Sequence, residues 1–582
     1  MTADVASAPR RSLASWLTID RCLWLLVAVA VCFIVIAPLG VSIDSAFRVE
    51  TRFGLSDRHG LNAFINVYTS GEYLHALWQT VLLAGTVTVF SVIAGVAIAI
   101  LVARCDIPWK STIELLVVMP LFLAPFTGLM AWTALGSAKT GFLNSAWSAL
   151  AGSFGYKASP LVDIWTWWGA AWVMFLFFMP FVFLFTVNSM RTMDGALEEA
   201  ARSAGATPLD CLLKITIPLS APSIMIAALV VFMLTSETYT IPGTIGNFAG
   251  FNVLSWQIFL DATGATIRQA HAASAATMLL LVALAGLMVQ RFITRKSSRY
   301  ITISGKGFRG RLLKLRGWKW AALAFIGFYV ACATLLPFAA LILNSVLTRS
   351  TAVVTADLLT MMHYERFFGA DDFREAFFNT AFLSLFAGAI CVLAGFIISF
   401  ADVRRPGPAS RALALICAIP VAVPGLVYGI GLLWLLLKTP LYGTIWVLLL
   451  VYIAKFVPFG VMMSRSGLQQ MHPDLESSAR MSGATSYQSI RFITLPLMRL
   501  TLISALFCIM LLAIKELSAS AMLYTKRSEV LSVLTWHYMD SGNYQFAAML
   551  GVLQSAIMVA MVLLTRWIFG IRLEGAMGRG GA

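Results

Sequence analysis

The stretch LEEAARSAGATPLDCLLKITIPL at residues 197–219 is repeated as LESSARMSGATSYQSIRFITLPL at residues 475–497. The two copies lie 278 positions apart and are identical at 11 of their 23 positions without a gap. Both are polar enough to lie in water, although long apolar runs flank each of them. This arrangement predicts a duplicated membrane protein that carries one polar segment in each half.

The composition indicates a polytopic membrane protein. Of the 582 residues, 59% are hydrophobic and only 12% are charged, whereas about a quarter of the residues in soluble domains are charged. A helix that spans a bilayer needs about 20 mainly apolar residues. Twelve such runs, without the alternation of a transmembrane β-barrel strand, lie near 22–45, 76–103, 112–136, 162–190, 219–241, 270–293, 319–345, 377–401, 410–437, 441–464, 497–520 and 545–569. We therefore expect an all-α fold with twelve transmembrane helices.

The formal net charge of +15 is explained by membrane topology. If the N-terminus is inside the cell, the cytoplasmic segments carry most of the Lys and Arg residues, which is the bias of inserted proteins. We therefore expect both termini in the cytoplasm and no binding of nucleic acid. The first apolar run is too long for a signal-peptide core, which predicts an uncleaved first span.

The eight cysteines and six histidines are scattered through the sequence. There is no CxxC pair and no Cys/His spacing typical of a zinc site. We therefore expect neither disulfides nor a metal site. The histidines also lack the spacing of a catalytic group, so a membrane enzyme is a distant alternative.

The duplication extends beyond the opening phrase. Pro120 matches Pro420 at an offset of 300, and Pro180 matches Pro458 at an offset of 278. Six spans in each half bring both halves into the membrane from the same side, so they are parallel repeats. The predicted divisions are a cytoplasmic N-terminal segment 1–21, a first six-helix half 22–293, a basic cytoplasmic linker 294–318, a second six-helix half 319–569 and a cytoplasmic tail 570–582. The basic linker fits the positive-inside rule, and contact with anionic membrane lipids is the alternative.

The repeated phrase encodes a short helix, a turn and a second short helix. In each copy a Glu–Arg pair spaced four apart supports the first helix, a glycine can end it in the left-handed conformation, and a threonine caps the next helix. These residues are Glu198, Arg202, Gly205 and Thr207 in the first copy, and Glu476, Arg480, Gly483 and Thr485 in the second. Pro218 and Pro496 then mark the entry into the next span.

Each hairpin lies in the cytoplasmic loop between the fourth and fifth spans of its half. Two rigid hairpins in equivalent positions predict docking to a partner with two-fold symmetry. The alternative is an ordinary interfacial helix that both halves share only because they were duplicated.

The first copy resembles the cytoplasmic coupling motif of ABC-type import permeases that work with a separate solute-binding protein. The resemblance rests on Glu199-Ala200-Ala201, Gly205 and Ile215-Thr216-Ile217-Pro218. In the second copy Ser477-Ser478-Ala479 replaces Glu-Ala-Ala, while Gly483, Ile493, Leu495 and Pro496 are in place. The residues expected to couple to the ATPase are Glu198, Glu199, Ala200, Ala201, Arg202, Gly205, Ala206, Pro218, Glu476, Ala479, Arg480, Gly483, Ala484 and Pro496.

The resemblance covers nearly the whole chain and is closest to fused permeases of the ferric-iron type. It rests on Lys515-Glu516-Leu517-Ser518-Ala519 and Leu531-Ser532-Val533-Leu534, with Ser518 where that group usually has proline. Import of ferric iron is the implied function. Thiamine, 2-aminoethylphosphonate and sulfate permeases share much of this pattern, so these solutes remain alternatives.

The sequence contains no GxxxxGK[ST] phosphate loop. The resemblance implies that a separate ATPase, present in two copies, uses ATP and Mg, and that this chain holds no cofactor. It also implies a soluble or lipid-anchored solute-binding protein outside a bacterial inner membrane. Closure of the ATPases would move the halves between inward-open and outward-open states. An ion-coupled secondary transporter, which can also have parallel halves, is the alternative from another class.

Charged residues inside spans are costly and are therefore candidates for function. Lys455 is placed most deeply, Glu237 lies near the outer end of the fifth span, and Lys515 and Glu516 hold the matching place in the eleventh. We expect these four residues to line the translocation path. The alternative is that Lys455 snorkels or pairs structurally and that the other three lie at the membrane interface.

Overall fold

The structure is a computed structural model that describes residues 19–51, 54–156, 159–193, 196–264, 266–294, 312–351 and 354–569. Three predicted segments extend beyond these ranges. Residues 1–18 of the N-terminal segment, 295–311 of the basic linker and the whole tail 570–582 lie outside the described residues.

Helices make up both halves, together with one short antiparallel hairpin of β1 (Arg48–Thr51) and β2 (Gly54–His59) that the sequence did not predict. The helices of the first half are α1 Ile19–Ala46, α2 Asn62–Thr69, α3 Gly71–Arg104, α4 Lys110–Val118, α5 Pro125–Gly136, α6 Phe142–Ser153, α7 Trp167–Thr192, α8 Ala196–Ser203, α9 Pro208–Cys211, α10 Ile217–Glu237, α11 Thr240–Ala249, α12 Leu254–Thr263 and α13 Gln269–Thr294. Those of the second half are α14 Trp318–Val330, α15 Leu336–Ser345, α16 Met362–Gly369, α17 Asp371–Arg404, α18 Pro408–Ala422, α19 Gly425–Leu436, α20 Ile445–Gln470, α21 Asp474–Met481, α22 Ser486–Ser489, α23 Leu495–Ile514, α24 Ser520–Leu523, α25 Leu531–Asp540 and α26 Tyr544–Phe569.

The order of helices repeats between the halves, which confirms the predicted duplication. α2–α5 correspond to α16–α19, and α7–α13 correspond to α20–α26. α1 corresponds to α14 and α15, which a π-helical turn at Ala331–Leu335 joins into one span. Within the described residues α6 has no counterpart, and it fills the longer loop of the first half.

Among the described residues, ten helices are long and apolar enough to cross a membrane, and the number is twelve if each of two bent helix pairs counts as one span. The expected third and ninth spans, at 112–136 and 410–437, are the two that form bent helix pairs. The third span bends by 98° between Phe122 and Pro125, and the ninth by 105° between Val421 and Gly425. Proline disfavours helical backbone at the residue before it. Pro125 and Pro424 therefore explain why each helix stops and restarts in a new direction.

The first span of each half packs on the broken span of the other half. α1 lies against α18 and α19, while α14 and α15 lie against α4 and α5. Gly431 is required at the first contact, because a Cβ there would lie 2.1 Å from the carbonyl oxygen of Pro38. At the second contact the Thr334 hydroxyl donates to the Leu116 carbonyl over 3.2 Å. This exchange ties the halves into one apolar core.

Candidate functional site

The repeated phrase forms the predicted helix–turn–helix in both copies. α8 ends at Gly205 with φ of +89°, and α21 ends at Gly483 with φ of +87°, the left-handed conformation that favours glycine. Thr207 and Thr485 each accept a bond from the backbone N–H three residues later, and the side chain at that later position bonds back to the threonine N–H. These reciprocal capping boxes fix the start of the second helix.

The second short helix of each copy is continuous with the following span, which corrects the expectation of a separate short helix. α9 passes through a π-helical turn at Leu212–Thr216 into α10, and α22 passes through one at Ile490–Thr494 into α23. A proline, Pro218 or Pro496, stands two residues after each π turn. Proline lacks the N–H that would donate the next helical hydrogen bond. The wider π turn before it lets the helix continue through the proline. Each hairpin is therefore directly continuous with a long helix, Pro208–Glu237 or Ser486–Ile514.

Glu198 anchors the first hairpin to the end of the second span. Its carboxylate lies 3.4 Å from the guanidinium of Arg104 at the C-terminus of α3, and the two side chains are only 8% and 3% exposed. The Thr216 hydroxyl in the π turn donates to the same carboxylate over 2.7 Å. Arg104 also donates to the Met190 carbonyl at the end of α7 over 2.9 Å. One buried arginine therefore joins the hairpin to two transmembrane helices.

The second hairpin has the same anchor. Arg404 at the end of α17 lies 3.0 Å from Glu476, and their side chains are 9% and 8% exposed. Thr494 donates to Glu476 over 3.2 Å, and Arg404 donates to the Met471 carbonyl over 3.1 Å. The spacing of four had predicted that Glu476 pairs with Arg480. In the structure Glu476 pairs with Arg404 instead. Glu476 is the structural equivalent of Glu198 and does not replace Glu199.

The remaining residues assigned to coupling differ in exposure. Exposed residues are Glu199, Ala200, Gly205, Pro218, Arg480, Gly483 and Pro496, and half-buried residues are Ala201, Arg202, Ala206, Ala479 and Ala484. Large apolar side chains stand beside them: Leu209 is 63% exposed, Leu213 55%, Tyr487 61% and Met481 90%. Each hairpin therefore presents an apolar surface to the aqueous side, with an acid in the first copy where the second has Ser477.

Arg104 and Arg404 were missed by the sequence reasoning. They occupy equivalent positions at the offset of 300 that already related Pro120 to Pro420. An arginine repeated at the end of an apolar run could therefore have indicated a structural partner for the buried glutamates. Thr216 and Thr494, identical in the two copies of the phrase, were likewise not recognised as partners of the glutamates.

The four charged residues predicted to line a path lie around one cavity. This cavity has a volume of about 1080 Å³, including the part open to solvent, and Glu237, Lys455, Lys515 and Glu516 all line it. Its apolar wall includes Phe126, Phe177, Phe178, Phe181, Phe456 and Phe459. Glu516 is buried, and Glu237 and Lys515 are half-buried where they line the cavity.

Lys455 joins the two halves through ion pairs. Its ammonium lies 2.8 Å from Glu237 of the first half and 2.9 Å from Glu516 of the second. The backbone N–H of Ala519 donates to Glu516 over 3.0 Å. Lys455 therefore pairs structurally and also faces the cavity, and its place on a translocation path stays a prediction.

The breaks in the third and ninth spans are capped by side chains of the opposite half. Glu237 at the end of α10 accepts the N–H of Gly425, the first residue of α19, over 2.8 Å. Lys515, at the position equivalent to Glu237, donates to the Leu121 carbonyl before α5 over 3.1 Å. An acid suits the positive N-terminus of a helix and a base suits the carbonyls at a C-terminus. We call the contacts Glu237–Gly425 and Lys515–Leu121 the crossed caps. They place an acid and a base at equivalent positions of the two halves.

In the part of the chain that the structure describes, no three His, Cys, Asp or Glu side chains are grouped as they would be to hold a metal ion. What the cavity offers is two ammonium groups, two carboxylates engaged with Lys455 and backbone N–H groups, and hydroxyls such as those of Thr127, Thr238 and Ser532. This chemistry suits weak, reversible contact with a passing solute.

Comparison with known proteins identifies the architecture. Residues 88–299 and 391–571 each match the family described as binding-protein-dependent transport system inner membrane component. The chain is 25% identical to the ferric transport system permease protein FbpB of Actinobacillus pleuropneumoniae, over 87% of this chain and 73% of that protein. It is 29% identical to a protein of Salmonella paratyphi A provisionally named a 2-aminoethylphosphonate transport system permease protein, over 26% of this chain and 58% of that one.

A solved structure also matches part of the chain, at low similarity. It is a bacterial ABC transporter involved in the import of the acidic polysaccharide alginate. One of its chains matches 43% of this chain and 95% of its own length, with 18% identity and a TM-score of 0.36.

Proposed function

Since the chain belongs to the family of binding-protein-dependent transport inner membrane components, and is therefore the permease subunit of an ABC importer, we propose that its solute is ferric iron. A subunit of this kind is not itself an enzyme, and family membership answers the alternative of an ion-coupled secondary transporter. The same machinery acting on thiamine, 2-aminoethylphosphonate or sulfate is the competing proposal.

The observation that carries the iron proposal is the position of the stretch Lys515–Ala519. This stretch resembles the ferric-type permeases, and in the fold it supplies Lys515, Glu516 and Ser518 to the wall of the cavity. The relative named as a ferric permease is aligned over most of both chains. Likeness in the residues that face the solute bears on specificity more directly than likeness in the lipid-facing helices does.

Two copies of a separate ATPase are proposed to dock on the two hairpins. The exposed apolar side chains Leu209, Leu213, Met481 and Tyr487 supply the contact. Glu199 adds a charge on the first side only. ATP and Mg are used by that partner. When the ATPases close, the buried pairs Arg104–Glu198 and Arg404–Glu476 carry the movement into α3 and α17, as a rigid-body change requires.

Solute is proposed to arrive from a soluble or lipid-anchored binding protein and to pass Lys455, Glu237, Lys515 and Glu516. The same proposal includes the predicted division of the chain into a cytoplasmic N-terminal segment, two six-helix halves, a linker between them and a cytoplasmic tail. Their bounds are 1–21, 22–293, 294–318, 319–569 and 570–582. It also includes a bacterial inner membrane location with both termini and both hairpins in the cytoplasm. The positive-inside bias supports this orientation.

Capture of the complex tests the proposal. A tag on this chain, mild solubilisation and mass spectrometry identify the co-purifying proteins, and the captured binding protein is assayed for iron and small organic ligands. An ATPase with an iron-loaded binding protein is the expected result. An ATPase with an organic-loaded, iron-free partner would move the solute to one of the alternatives. No ATPase, under conditions that preserve a known importer, would contradict the assignment of the hairpins.

A further inference from the structure

The carboxylates that line the cavity are already occupied. Glu237 pairs with Lys455 over 2.8 Å and accepts the Gly425 N–H over 2.8 Å. Glu516 pairs with Lys455 over 2.9 Å and accepts the Ala519 N–H over 3.0 Å. Both contacts of Glu237 are made by Oε1, whereas Glu516 uses both of its oxygens. A cationic solute would therefore have to compete with the Lys455 ammonium for either carboxylate.

Lys515 differs from Lys455 in its surroundings. Its ammonium donates to the carbonyl of Leu121 over 3.1 Å. Among the described residues, no carboxylate forms an ion pair with it. A carbonyl contributes only a dipole, whereas each carboxylate carries a full charge. Lys515 is therefore the cavity's one charge that the described residues leave without an opposite charge in direct contact.

The wall of the cavity next to Lys515 also carries positive charge, at the N-terminus of α5. Phe126 and Thr127, in the first turn of the half-helix α5, line the cavity, and Ala124 before them provides no side-chain cap. First-turn N–H groups have no partner within a helix and carry a partial positive charge. This end of the half-helix adds to the field of Lys515.

We propose that solute occupies this cavity as an anion, which for iron means a complex whose ligands leave it negatively charged, and that Lys515 is the residue that selects for this charge. The inference rests on the proposed function only in placing the cavity on the transport route. It also accounts for the absence, among the described residues, of a side-chain group that could coordinate a bare metal ion.

Titration of the detergent-purified chain tests the inference. Sodium citrate, sodium phosphate and thiamine chloride are added at matched ionic strength, and binding is followed by calorimetry. At least one of the two anions is expected to bind and thiamine is not. Lys515→Gln should weaken anion binding by about tenfold or more, because a charge-assisted hydrogen bond is lost. Lys515→Arg, which keeps both the charge and the donor to Leu121, should restore most of it.

Lys438→Gln is the matched control, since Lys438 is an exposed lysine away from the cavity. Binding of thiamine without binding of either anion, or equal anion binding by the wild type and Lys515→Gln, would overturn the inference. The experiments distinguish failure of the anion inference from failure of the iron proposal. A captured partner loaded with 2-aminoethylphosphonate would refute iron and leave the anion inference standing, whereas failed titrations would leave captured iron unaffected.

Discussion

Glu198 and Glu199 are neighbours in the chain but lie in opposite environments. Glu198 is buried against Arg104, and Glu199 is exposed on the surface of the hairpin. In the second half Glu476 keeps the buried position, and Ser477 occupies the exposed one. The two halves thus share the acid that holds the hairpin and differ at the position that faces outward.

The buried pair in the second half should contribute measurably to stability. Glu476→Ala leaves the nearly buried guanidinium of Arg404 without its carboxylate, which should cost about 3 kcal/mol. Thermal unfolding of the purified chain in detergent measures the loss. Ser477→Ala, one residue away and exposed, is the control and should change little. Equal unfolding of both variants would show that the pair does not anchor the hairpin.

The exposed acid should matter for partner binding and not for folding. Glu199→Lys reverses a charge on the proposed docking surface, and the amount of ATPase that co-purifies should fall by about tenfold or more, since like charges in an interface are repulsive. Glu72→Lys, an exposed acid on the opposite side of the proposed membrane topology, is the charge-matched control. Undiminished capture by Glu199→Lys would remove this residue from the interface.

At the scale of elements, the breaks in the third and ninth spans give two charged side chains, Glu237 and Lys515, backbone partners in the opposite half. The sequence showed prolines at both places but not the bend angles of 98° and 105°. A proline inside an apolar run can produce a kink, a break or no large change, depending on what satisfies the freed backbone groups. Here the crossed caps from Glu237 and Lys515 satisfy them.

Gly425→Ala tests the crossed caps. A Cβ at this position would lie 2.6 Å from a Glu237 oxygen and 2.6 Å from the Lys455 nitrogen, so the ion pair must move. We expect a loss of about 1–3 kcal/mol in stability and reduced solute uptake, measured by thermal unfolding and a cell-based transport assay. Gly429→Ala, one helical turn on, meets its nearest atoms at 3.4 Å and should be tolerated. Wild-type uptake by Gly425→Ala would argue against a role for these contacts.

For the whole molecule, the crossed packing of the first spans and the crossed caps make the halves interdependent. Either half alone would leave Glu237 or Lys515 without its partner in the other half. The proposed orientation in the membrane adds a prediction about access, because the hairpins and the long loop of the first half should face opposite sides.

Accessibility to a membrane-impermeant maleimide measures that orientation. Lys139→Cys, exposed in the loop before α6, should be labelled in intact cells. Glu199→Cys on the first hairpin should be labelled only after permeabilisation. The wild-type chain is the blank for its own cysteines. The reverse pattern would invert the topology and place the ATPase on the wrong side of the membrane.

The spans and the capped turns of the hairpins could be predicted from the sequence, because each depends on residues within about one span or one turn of each other. The duplication could be predicted because the same phrase is written twice in the sequence. Burial of Glu198 beside exposed Glu199 could not, since Glu198 and its partner Arg104 are 94 positions apart and meet only when the helices pack. The sequence pointed to the four charged residues that line the cavity, but only as separate positions in three spans. Their pairing required the fold, because Lys515 reaches Leu121 across 394 positions and from the other half. Short-range chemistry is written in the order of residues, whereas contacts between halves arise from how the helices cross.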